Sequence, residues 1–197
     1  MKLAHVEILV AVGPFARSKC WSDIRTEIEK AIGTVVWPPG SSTFIINSDK
    51  GRGRGEGNGV VPIKEACMQT LADLGWNTKE RQNPFRFDAV RRCEGVGAFG
   101  LEWETGNISS SHRAINRILL GHREKAILGG GIIIPTRSLY EFLTDRIGNY
   151  AELEPYFDLW RDVPWQDGVL AVFAVEHDSS SPDVPRIPKG TNGRAQG

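Results

Sequence analysis

Apolar positions along the chain recur with two different periods. Residues 6–12 form a short, mostly apolar run closed by Gly13-Pro14, which predicts a strand. Residues 18–32 switch to helical spacing, with Trp21, Ile24, Ile28 and Ile32 on one stripe. Trp37-Pro38-Pro39-Gly40 marks a turn, and the β-branched run 43–46 predicts a brief strand. A helix from 61 to 74 opens with Pro62 in its first turn and stops at Gly75. Residues 85–93 and 98–104 read as strands. Residues 108–121 read as a strong helix, with Ile115, Ile118 and Leu119 along it and Gly121 as the stop. The nearly continuous apolar run 126–134, ended by Pro135, has the pattern of a strand buried on both faces. Helices are predicted at 137–147 and 150–159, the second with Pro155 in its interior, followed by another buried strand at 168–176. This order predicts an α/β fold: one domain over residues 1–197, with a mixed β-sheet flanked by helices.

Two stretches break the pattern. Residues 49–58, DKGRGRGEGN, are rich in glycine and carry three cations, so they read as a flexible loop, either plain surface or a basic arm for phosphates. Residues 178–197 are rich in Ser, Pro and Gly and read as an extended C-terminal arm.

Composition narrows the function classes. With 40% hydrophobic and 24% charged residues, the chain has material for a real core and is not broadly disordered. Lysine plus arginine number 24 and so do aspartate plus glutamate. Zero net charge argues against a generic nucleic-acid coat protein, but not against an enzyme that gathers cations in a cleft and carboxylates at a metal. No apolar run is long enough for a transmembrane helix, and the charges in Met1-Lys2-Leu3-Ala4-His5-Val6-Glu7 interrupt any signal-peptide core. A cytoplasmic protein is expected. Cys20, Cys67 and Cys93 are odd in number and share no CxxC spacing, so reduced thiols are expected rather than a disulfide frame or a zinc site.

The candidate chemistry lies in Gly100-Leu101-Glu102-Trp103-Glu104-Thr105-Gly106-Asn107. Strand alternation sends Glu102 and Glu104 to the same face, where two carboxylates repel unless a cation offsets them. Asp88, on the preceding strand, adds a third if those strands are neighbours. Three hard oxygen ligands without a nearby histidine suit Mg²⁺ and phosphoryl chemistry. The same spacing also fits a solvated acidic edge or a glycosidase pair. The helix that follows at once argues for an anion at its N-terminus, since it offers free N–H groups. Asn107 and Ser109 are cap-type residues there. His5, His112, His122 and His177 are scattered and read as surface or packing residues.

The string LEWETGNISSSHRAINRILLG, residues 101–121, resembles the BamHI-like type II restriction endonucleases of the PD-(D/E)xK superfamily. So do Gly59-Val60-Val61-Pro62-Ile63-Lys64-Glu65, Leu143-Thr144-Asp145-Arg146, Glu152-Leu153-Glu154-Pro155-Tyr156-Phe157 and Ile187-Pro188-Lys189-Gly190. These segments run in order from about Trp37 to Gly193; the stretch through Gly33 matches poorly. The resemblance implies a restriction-endonuclease-like fold and a homodimer that cleaves double-stranded DNA with Mg²⁺. By the same likeness Asp88, Glu102 and the Trp103 carbonyl would hold the metal, Glu104 would serve as base, and Glu80 would be a further acidic residue. Glu104 stands where the superfamily usually has lysine, and no proline precedes Asp88.

Base reading is assigned by the likeness to Asn107, Ser109, Arg113, Asp145 and Arg146, with Lys64, Gly190 and Asn192 as further DNA contacts. The chemistry is compatible, since arginine forks onto guanine and aspartate accepts from cytosine. Asp145-Arg146 also reads as an ordinary surface ion pair. The inventory fits GGATCC, the palindrome that the resemblance implies, and the same likeness implies cleavage after the first G to leave 5′-phosphate ends. The resemblance further implies a dimer boundary at Arg123, Glu124, Asp158 and Arg161, and a cognate DNA methyltransferase. A non-catalytic DNA-binding relative and a structure-specific repair nuclease are the alternatives.

Overall fold

The computed structural model describes residues 1–50, 56–78, 85–104, 106–144 and 147–189. The chain opens with β1 (Lys2–Val12), a short α1 (Gly13–Ala16) and α2 (Lys19–Gly33). Ser18 caps α2, its hydroxyl accepting from the Trp21 N–H. There follow β2 (Ile45–Asn47), α3 (Val61–Asp73), β3 (Ala89–Cys93), β4 (Gly97–Trp103) and α4 (Ile108–Arg123). Then come β5 (Gly129–Pro135), α5 (Arg137–Tyr140), α6 (Tyr150–Leu153), α7 (Phe157–Arg161), β6 (Gly168–Glu176) and β7 (Ser179–Ser181).

Five strands form one mixed sheet in the order β1-β6-β5-β4-β3. The inner pairs β4·β5 and β5·β6 are parallel, while β1 and β3 close the edges antiparallel. β5 is buried throughout and β6 up to its last residue, as their unbroken apolar runs require. One face packs Ile24, Ile28 and Leu71 of α2 and α3 against Phe99, Leu101 and Phe173. The other packs Ile115 and Ile118 of α4, with Leu153, Phe157 and Trp160, against Ile132 and Ile134. α4 approaches closely because Gly130 leaves no room for a Cβ beneath Ile118; Gly100 likewise lets the Phe87 ring, just before β3, lie against the sheet. β2 and β7 form a separate parallel pair, which draws residues 179–181 of the expected extended arm into structure.

Three expectations need correction. The helix expected over 137–147 stops at Tyr140. Asn58 takes the backbone groups beyond it: its N–H donates to the Phe142 carbonyl at 2.8 Å, and its carbonyl accepts from the Thr144 N–H at 2.9 Å. The helix expected over 150–159 is broken into α6, a 3-10 turn at Glu154–Tyr156 and α7, because Pro155 has no N–H to give. The cysteines are not three free thiols. Cys20 and Cys93 form a disulfide between the start of α2 and the end of β3, with Cα atoms 6.1 Å apart. Only Cys67 is free; it is buried, and burial pushes its thiol up to about 12. The cysteines therefore give no argument for a reducing compartment. Among the described residues, no helix is long and apolar enough to cross a membrane.

Candidate active site

The sheet makes β3 and β4 antiparallel neighbours, with Ala89 opposite Leu101. Asp88, just before β3, therefore reaches the end of β4, where its Oδ2 accepts from the Trp103 N–H at 2.8 Å. The condition for grouping Asp88 with the Glu102-Trp103-Glu104 segment is met. Glu102 is 4% exposed and Trp103 5%, the indole lying in the core.

Two cations answer the carboxylates from opposite sides. Lys64 Nζ, on α3, donates to Asp88 Oδ1 at 2.6 Å. Arg117 Nη1, on α4, donates to Glu102 Oε1 and also to the Arg86 carbonyl at 3.0 Å. Even so, burial and then Asp88 push the Glu102 carboxyl up to about 8 against the pull of Arg117. Glu104 is raised for the same two causes, and Lys64 and Arg117 draw it back. The site is short of positive charge, and its donors are carboxylate oxygens. Among the described residues, no three acidic, histidine or cysteine side chains stand close enough to hold an ion together. The donor chemistry nevertheless fits a hard divalent cation, which would relieve the repulsion that Glu102 and Glu104 feel.

The β4 end runs directly into α4. Asn107 is its N-cap, with Oδ1 accepting from the Ser110 N–H at 3.1 Å. That bond occupies the carbonyl side of the amide and leaves Nδ2 as donor. Ser109 and Arg113 are exposed on the following turns, Arg113 Nη2 donating to Ser110 Oγ at 2.8 Å. The described residues on either side of positions 145 and 146 are held in the fold. Leu143 and Ile147 are buried, and the Gly148 N–H donates to the Gly106 carbonyl at 2.9 Å, beside the start of α4. Asp145, Arg146, Glu80, Gly190 and Asn192 themselves lie outside the described residues. Lys64, expected as a DNA contact, rests on Asp88. Arg123 pairs with its neighbour Glu124, and Arg161 with Asp158 and Glu7, all within the chain. All four histidines sit against aromatic rings: His5 on Tyr150, His112 on Tyr156, His122 on Trp165 and His177 on Phe142.

Sequence reasoning missed Arg117 and Asn58. Arg117 follows Arg113 by one helical turn, a spacing that puts both on one side of α4. Asn58 is fully buried and ties three segments, its Nδ2 donating to the Asn47 and Phe142 carbonyls and its Oδ1 accepting from the Ile187 N–H. Its position at the end of a glycine-rich stretch hid it.

The family model described as restriction endonuclease BamHI matches residues 1–194. The chain belongs to the BamHI family of type II restriction endonucleases. The match includes the N-terminal stretch through Gly33 that the sequence segments left out. The chain is 46% identical over 201 residues to the type II restriction enzyme OkrAI of Oceanobacter kriegii, covering 99% of each. It is 34% identical over 196 residues to the type II restriction enzyme BamHI of Bacillus amyloliquefaciens, covering 92% of this chain and 86% of the relative. Among solved structures, the fold is similar to the restriction endonuclease BglII complexed with a DNA 16-mer. The TM-score is 0.67 at 11% identity, covering 90% of this chain and 79% of that one. Free BglII gives 0.53 at 12% identity, covering 88% and 80%. The restriction-endonuclease-like fold expected from the sequence is the fold observed. The chain is an enzyme, a site-specific deoxyribonuclease, and not a bare binding module.

Proposed function

We propose that this restriction endonuclease acts as a homodimer and uses Mg²⁺ to cut double-stranded DNA at GGATCC, after the first G, leaving 5′-phosphate ends. The observation that carries the reading is the junction of β4 and α4. Asp88 bonds the Trp103 N–H, between Glu102 and Glu104, at the end of a strand that is followed by Asn107, Ser109 and Arg113, all exposed at the start of α4. One continuous segment thus bears both hydrolytic carboxylates and groups able to read base edges.

In this reading Asp88, Glu102 and the Trp103 carbonyl hold the ion, which when bound neutralises charge on the phosphate and favours departure of the leaving oxygen. Glu104, with its proton affinity raised by burial and Asp88, takes the proton of the attacking water. Lys64 binds a phosphate oxygen once DNA displaces it from Asp88. Arg113 and Arg146 fork onto the two guanines, Asp145 accepts from the opposing cytosines, and Asn107 addresses the A·T pair through its free Nδ2. Gly190 and Asn192 complete the DNA contacts carried over from the family, and Glu80 is the further acidic residue of the catalytic group.

A palindrome is read by a two-fold dimer, each subunit taking one half-site. The surface supports that arrangement. Leu120 on α4 is 43% exposed, Tyr156 43%, and Leu159 on α7 66%. Apolar side chains this open on neighbouring helices suit burial against a second copy. Arg123, Glu124, Asp158 and Arg161 would border that face. The setting is the cytoplasm, and a DNA methyltransferase would protect the host's own sites.

Asp88→Asn tests the catalytic reading. It should abolish cleavage with Mg²⁺ while a duplex carrying GGATCC is still bound as tightly or more so, because one negative charge facing phosphate is gone. Cleavage within about tenfold of wild type would remove Asp88 from the site.

A further inference from the structure

The carboxylate most deeply buried at the site is not empty-handed. Glu102 has a side chain 6% exposed, and Arg117 sits directly on its Oε1. The same Nη1 bonds the Arg86 carbonyl, so Arg117 bridges α4, β4 and the segment that leads into Asp88. A buried carboxylate requires such a counter-charge, since its desolvation is otherwise uncompensated. A divalent ion ligated by Glu102 requires an oxygen free of that donor, and two cations crowded onto one carboxylate repel each other. Arg117 has somewhere to go: its side chain is 39% exposed.

We propose that Arg117 is a place-holder cation: it keeps Glu102 positioned in the free enzyme and must be displaced before a divalent ion can bind. The inference rests on the metal-site reading above. Arg117 touches no reacting atom in it; it acts through Glu102 as a positioning residue. Its presence raises the ion concentration that the DNA-free enzyme needs, so the enzyme is kept unloaded when no phosphates are near to take up the guanidinium.

The test is Ca²⁺ binding to the full chain without DNA, by titration calorimetry at mildly alkaline pH, where protonation of Glu102 does not limit. Arg117→Gln should bind Ca²⁺ at least about tenfold tighter than wild type, because the competing charge is gone. Arg117→Lys should stay near wild type, and Asp88→Asn/Arg117→Gln should lose the gain. As a second readout in the wild-type protein, the Arg117 side-chain N–H resonance, assigned by its loss in Arg117→Lys, should move as Ca²⁺ saturates. Equal affinity in wild type and Arg117→Gln, with both abolished by Asp88→Asn, overturns the place-holder alone. A resonance unmoved at saturation does the same, even if Arg117→Gln does not fold. A gain that survives Asp88→Asn, or no Ca²⁺ binding by any variant, overturns the metal-site reading and this inference with it.

Discussion

Glu102 sits where its own charge is unwelcome: burial and Asp88 hold its carboxyl at about 8, against 4.5 for an unburied glutamate. An acid whose folded pKa is raised favours the fold in its neutral form. Its cost is absent below the unfolded value, grows as pH rises from there to about 8, and is constant above. Glu102→Gln should therefore melt higher than wild type at pH above this window and equally at its acid end, while cleavage is lost. Calorimetric melts across that range check it; equal midpoints at every pH would show that Glu102 is not strained. Stability traded for a charged site is the expected bargain in an enzyme. Glu102 and Glu104 were legible in the sequence because strand alternation places them on one face, and Asp88 because its strand precedes theirs. Arg117 and Lys64 were not legible as their partners. Which helix folds back over which carboxylate is decided by packing, as where α4 settles on Gly130, and not by spacing along the chain.

At the scale of elements, β5 and β6 were the most legible, since continuous apolar runs closed by Pro135 and Glu176 leave no other assignment. The region after α5 was the least. Its apolar spacing fits a helix, yet Asn58, distant in sequence, claims the backbone groups of Phe142 and Thr144. The disulfide was hidden for the same reason, since 73 residues separate Cys20 from Cys93. It fastens β3, the strand behind Asp88, to α2. Closing a loop of that length limits the unfolded chain and is worth about 4 kcal/mol at most on the loop-entropy argument. Adding a dithiol reductant should lower the melting temperature of the wild type, and Cys20→Ser should melt low with or without it. A wild-type melt that ignores the reductant would mean that the bond contributes nothing to stability.

For the whole molecule, the account requires two copies. Asp158 and Arg161 pair within the chain, Arg161 reaching Glu7 as well, and they flank the exposed Leu159. Exchanging the two, Asp158→Arg with Arg161→Asp, keeps their mutual attraction but reverses the charge pattern offered to a second copy. Sedimentation at low micromolar concentration should show a lighter species than wild type, with a somewhat lower melt because the Arg161–Glu7 pair is lost; an unaltered mass would move the boundary elsewhere. The family and the enzyme class are established by matches over nearly the full chain, whereas the bases read rest on four side chains, two of which lie beyond the described residues. The central claim is therefore the sequence that is cut. A sequenced plasmid is digested with this enzyme and Mg²⁺, and the fragment ends are read by sequencing. Every end should map to GGATCC, broken after the first G, and omission of Mg²⁺ should leave the plasmid whole. Ends that map to another palindrome, such as AGATCT, would contradict the assignment.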